Sequence, residues 1–186
     1  MSIFSIALFL HIVGALGVSV ALGLEWIGLS QIRRATVPDE IRAILRIVKS
    51  TTRFGFVSMF STVITGLYMV LTALGWIPWI LVVIGALVLV IVLTRVLTAP
   101  RMAAIGQALA MEKGSISQGF YNLLKDPILW ISIQTRAAIV LGIIFLKIVK
   151  PGVGGSLLTV SVAIVLGVAS RTTLAMATIS RPSLEW

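Results

Sequence analysis

Residues 54–94 read FGFVSMFSTVITGLYMVLTALGWIPWILVVIGALVLVIVLT, 41 residues without a single Asp, Glu, Lys, Arg or His. A hydrocarbon core of about 30 Å takes about 20 helical residues, so the run is too long for one crossing and right for two. Gly75-Trp76-Ile77-Pro78-Trp79 divides it. Gly and Pro turn the chain there, and the two tryptophans suit a lipid–water interface. Working outward, residues 3–32 form an apolar stretch before Arg33-Arg34, residues 127–148 a second, and residues 156–179 a third. The reading is an all-α polytopic membrane protein in one transmembrane bundle domain. Its five spans lie at about 3–32, 54–74, 78–97, 127–148 and 156–179. Four spans with one re-entrant segment is the alternative.

Composition agrees. Charged residues make up 11% of the 186, against about 25% in a soluble domain, and mean hydropathy is +1.12. No cysteine is present, which excludes disulfides, thiolate metal sites and cysteine nucleophiles. The N-terminus lacks a basic n-region and its apolar run exceeds that of a signal peptide, so it reads as a retained first span. The net charge of +9 reads as basic loops held on the cytoplasmic side. No basic stripe with interleaved aromatics points to nucleic acid.

The basic residues are unevenly placed. Arg33, Arg34, Arg42, Arg46, Lys49, Arg53, Arg101, Lys113, Lys125 and Arg181 fall on one side, against Lys147 and Lys150 on the other. The positive-inside rule then puts the N-terminus outside and the C-terminus in the cytoplasm. Pro38-Asp39-Glu40 marks a helix start with acids at the positive end of the dipole. Ile41, Ile44, Leu45 and Val48 share one face behind it, predicting a short amphipathic helix at the membrane surface. Residues 102–111 predict a second interfacial helix, after a span that ends at Ala99-Pro100-Arg101 and before a break at Gly114-Ser115.

Ionisable residues inside spans are costly and usually mark function or a structural pair. There are four. Glu25 lies eight residues before Arg33, about 12 Å deep. Arg136 lies nine past Pro127, about 13 Å in from the same side. Arg95 and Arg171 stand five residues before Pro100 and ten before Arg181. Glu25 and Arg136 match best in depth. On span one, His11, Gly14, Val18, Ala21 and Glu25 follow one helical stripe, with Gly17 widening a small patch for close helix approach. Ser58, Ser61, Thr65, Tyr68 and Thr72 make a polar stripe on span two. Ser132, Gln134 and Thr135 flank Arg136, and Ser156, Thr159 and Ser170 lie on span five, so a polar bundle interior is expected.

Each residue has a bland reading. Arg95 and Arg171 can snorkel to the phosphates. Glu25 can be half of a structural pair with Arg136, or a protonated, hydrogen-bonded carboxyl. The functional reading makes Glu25, Arg136, Arg95 and Arg171 the ligand-binding residues of an arginine-rich, cytoplasm-facing cavity. Three arginines against one glutamate suit a small anionic or amphipathic ligand that is bound or transported. No catalytic triad or facing carboxylate pair is available, which leans against an enzyme. One histidine and no cysteine cannot build a usual zinc or copper site. His11 can instead be one axial haem ligand, opposite Met59, Met69 or a second subunit's His11.

The first span also reads Leu8-Phe9-Leu10-His11-Ile12-Val13-Gly14-Ala15, then Glu25-Trp26-Ile27-Gly28-Leu29, then Arg33-Arg34. An early His, small residues, Trp-x-Gly and a basic exit resemble a group of small bacterial inner-membrane proteins. The group includes CopD-like copper-resistance proteins, HemJ-type protoporphyrinogen oxidases and several integral membrane families of uncharacterised function, the last being nearest. The likeness covers roughly the first 35 residues. By that resemblance His11 implies haem b as cofactor, although the Trp-x-Gly comes later than in those proteins and no second histidine follows. The functional expectations are therefore an anion-binding or transporting membrane protein, a haem-handling one, or a non-catalytic subunit of a larger membrane complex. The partners expected are the lipid bilayer, an anionic small molecule, and a second copy or complex subunit.

Overall fold

The computed structural model describes residues 2–112 and 116–179, with side chains described as far as Ser170. The described residues are mostly helical, with no strand among them: α1 (Ile3–Ile32), α2 (Pro38–Met69), α3 (Pro78–Leu93), α4 (Ala99–Met111), α5 (Gln118–Leu124), α6 (Pro127–Val149) and α7 (Val153–Ile179). Five helical stretches are long and apolar enough to cross a membrane.

Two boundaries differ from the sequence reading. The predicted surface helix after Pro38 and the predicted second span are one helix, Pro38–Leu74, whose last turn, Val70–Leu74, is π-helical. Arg42, Arg46, Lys49 and Arg53 mark a change of solvent, but no Gly or Pro between Pro38 and Arg53 interrupts the backbone ladder. The amphipathic face meets protein rather than the lipid surface: Ile41 is fully buried against Leu29, Ile32 and Ile105.

Likewise α3 does not stop at Pro100. It passes through a π-helical turn, Thr94–Thr98, into α4, where the second surface helix was expected. Proline lacks an N–H and clashes with the carbonyl four residues back. The π turn opens the ladder just ahead of it, with the Ala99 N–H reaching the Thr94 carbonyl. The seven-residue α5 was not foreseen. Its start is capped by Ser117, whose hydroxyl accepts the Phe120 N–H.

Much of the loop charge is structural. Arg42 donates to the Glu112 carbonyl at 2.9 Å, satisfying the C-terminus of α4. Arg101 pairs with Asp126 at 2.8 Å, and Asp126 also caps α6. The Arg33 guanidinium stacks 4.9 Å from the Trp130 ring centre. These contacts surround a small core of Ile32, Ile41, Ile105, Phe120, Leu124 and Leu129 at the arginine-rich end.

Within the bundle α1 packs along α2, and α6 along α7, while α3 lies on α6 and α7. The α1–α2 seam is close because of Gly14: a Cβ there would stand 2.5 Å from Thr62 Oγ1 and 2.8 Å from the Ser58 carbonyl oxygen. The turn between α2 and α3 uses Gly75 at φ 70°, ψ 179°, a conformation essentially closed to other residues. From that turn α2 and α3 part, making few contacts with each other. The groove between them is floored by α1 and α6 and holds two cavities.

Candidate functional site

Glu25 on α1 and Arg136 on α6 meet across the bundle. Arg136 Nη2 donates to Glu25 Oε1 at 2.9 Å, with side-chain exposures of 4% for Arg136 and 13% for Glu25. Arg136 Nη1 also donates to Thr94 Oγ1 at 3.3 Å, while the Thr94 hydroxyl donates to the Val90 carbonyl at 2.7 Å. Thr94 opens the π turn ahead of Pro100, so the proline that distorts α3 also sets where this acceptor lies. At the far end of that turn Thr98 and Ser132 share a hydrogen bond of 2.9 Å. Arg136 Nε and Thr135 Oγ1 are buried without a partner among the described residues. Buried polar atoms rarely stay unpaired, and those that do call for an explanation.

The pair forms part of the wall of a cavity of about 710 Å³, to which Thr94, Arg95 and Arg53 also contribute. Arg95 is exposed at the margin. Arg53 had been assigned to a loop, and it reaches the cavity because α2 is continuous. The Arg171 side chain lies outside the described residues. No protein-family model, curated protein or solved structure matches this chain. The chemistry of the site therefore rests on its geometry.

The interior is less polar than the stripes suggested. Thr62, Thr65 and Thr72 donate to the carbonyls four residues back, at 2.8, 2.6 and 2.8 Å. Ser19, Ser156 and Thr159 do the same on α1 and α7. These hydroxyls satisfy themselves on their own helices, and the groove wall is left mainly apolar.

At the opposite end of the groove a second cavity, of about 510 Å³, is lined by His11, Met59, Trp76, Trp79 and Lys147. His11 Nδ1 lies 2.8 Å from the Thr62 carbonyl oxygen. A carbonyl only accepts, so Nδ1 carries the hydrogen and Nε2 of the neutral ring offers a lone pair. Lys147 Nζ donates to that lone pair. Gly66 leaves room for the ring: a Cβ there would stand 2.9 Å from His11 Cε1. Both ring nitrogens are thus engaged, Nδ1 by a carbonyl and Nε2 by the Lys147 ammonium. Among the described residues no three His, Asp or Glu side chains converge as a metal site.

Lys147 had been counted with the loop charges. It belongs to the last turn of α6 and faces inward.

Proposed function

We propose that this is a bacterial cytoplasmic-membrane protein that binds or moves a small anionic or amphipathic ligand in the Glu25–Arg136 cavity. The cavity faces the cytoplasm, with the N-terminus outside and the C-terminus inside, as the crowding of Arg33, Arg34, Arg42, Arg46, Lys49 and Arg53 at one end favours.

One observation carries the reading: a buried guanidinium, only partly satisfied by Glu25 and Thr94, forms part of the wall of a cavity with two further arginines. Arg53, Arg95 and Arg136 against Glu25 leave that wall with an excess of positive charge. Guanidinium groups favour planar recognition of carboxylate or phosphate. The apolar remainder of the wall suits an alkyl chain behind the anionic head.

The test is thermal denaturation of the purified full-length protein in neutral detergent, with and without dodecyl phosphate. A ligand that binds only the folded state raises the midpoint with the logarithm of its free concentration once that exceeds Kd. The expected result is a rise that continues with the logarithm of the concentration, and its loss in Arg53→Gln/Arg95→Gln. No rise, or the same rise in the double variant, would overturn the reading.

A further inference from the structure

We infer that the cavity at the other end of the groove is a separate binding site for a single-chain membrane carboxylate. Its head meets Lys147 and its alkyl chain lies against Trp76, Trp79 and Met59. The two cavities meet at Val18, Met59, Val63 and Ile91, but this inference rests on the Lys147 end and survives if the Glu25–Arg136 reading fails.

Among the described residues Lys147 has no counter-ion. Among the described carboxylates, Glu25 stands fourteen residues further along α1 than His11, about 21 Å away along the helix. Asp39, Glu40, Glu112 and Asp126 all belong to the arginine-rich end, near the starts of α2 and α6 and the end of α4. The neighbour of Lys147 is a histidine whose tautomer is fixed by the Thr62 carbonyl. That ring accepts one N–H and contributes no negative charge. An ammonium has three donors, and among the described residues only His11 accepts from this one. The remaining donors sit at the wall of an apolar cavity.

Charge and shape select the occupant. One cation calls for one negative charge. The volume of 510 Å³ is in the ordinary range for a single small ligand. Lys147 lies three residues before Lys150, so its backbone is about 5 Å from the helix end, and its head reaches inward to His11 at the cavity wall. From there the lining runs along α2 from Leu74 to Met59, about 22 Å towards the middle of the bundle. A chain anchored at Lys147 therefore lies along the membrane normal beside its neighbours in the leaflet. It enters sideways where α2 and α3 part.

Trp76 and Trp79 line the cavity and report on it once Trp26, Trp130 and Trp186 are replaced by Phe. That full-length protein in neutral detergent at pH 8 is titrated with dibromostearic acid and with its methyl ester, and tryptophan quenching is followed. A charge-assisted contact of this kind gives about a tenfold preference, so the acid is expected to quench at about a tenth of the ester's concentration. Lys147→Arg should keep the preference and Lys147→Met should abolish it. Equal quenching by acid and ester in the protein that keeps Lys147 overturns the assignment. So does a preference that persists in Lys147→Met, or one lost in a folded Lys147→Arg. A brominated phosphatidylcholine that quenches as readily as the acid would give the cavity to phospholipid instead. If Lys147→Met does not fold, acid against ester in the protein that keeps Lys147 and in Lys147→Arg still decides.

Discussion

Replacing Glu25 by Met leaves the Arg136 guanidinium buried with Thr94 as its remaining side-chain partner. Removing one partner of a buried ion pair costs about 3–5 kcal/mol, because the other charge stays desolvated. Arg136 is the more deeply buried member, at 4% side-chain exposure against 13% for Glu25. Arg136→Met should therefore cost less than Glu25→Met, about 1–3 kcal/mol. Replacing both removes two charges and leaves two flexible apolar chains of similar length. Such exchanges are often neutral or stabilising, so the double variant should be more stable than Glu25→Met alone. The assay is reversible unfolding of the purified protein from mixed micelles by increasing SDS, analysed as a double-mutant cycle. A coupling energy of about 2 kcal/mol or more is expected from pairs in direct contact. Additive single effects, or a Glu25→Met cost below about 1 kcal/mol, would refute the view that the two charges hold each other in the bundle.

Three further outcomes follow from the packing. Gly14→Leu places a Cβ 2.5 Å from Thr62 Oγ1 and should destabilise the α1–α2 seam by about 1–3 kcal/mol, read in the same SDS titration; an unchanged midpoint would contradict the close approach. Thr94→Val removes the oxygen that accepts from Arg136 Nη1 and should cost about 1–3 kcal/mol, with the loss much reduced in an Arg136→Met background. The chain has no cysteine, so Lys49→Cys and Gly152→Cys are unique labelling sites. In intact cells a membrane-impermeant maleimide should label Gly152→Cys and spare Lys49→Cys, and the reverse pattern would invert the proposed topology.

The fold was legible where side chains meet lipid. An uncharged run of 41 residues with a Gly/Trp/Pro break reads as two crossings, and the structure turns there at Gly75 and restarts at Pro78. What was not legible is how helices behave at the membrane edge. Arg42, Arg46, Lys49 and Arg53 signal a change of solvent, but they are good helix formers and do not end a helix. α2 therefore runs on as one piece. Pro100 suggested an end because proline breaks the α-helical ladder, yet a π turn absorbs it and carries the chain into α4. The equal depths of Glu25 and Arg136 could be counted along two helices, whereas the contribution of Thr94 depends on the π turn. Lys147 was obscured by its place near a loop, because one-dimensional charge counting does not say which face of the last turn a residue occupies.

The most direct test of the proposed role is calorimetric titration of dodecyl phosphate into the full-length protein held in nanodiscs of zwitterionic lipid, beside Arg53→Gln/Arg95→Gln. The account predicts saturable binding in which one site per chain is weakened at least about tenfold in the double variant, equivalent to about 1.4 kcal/mol. Binding of equal strength in both proteins, or heat no greater than partitioning into empty nanodiscs, would contradict it.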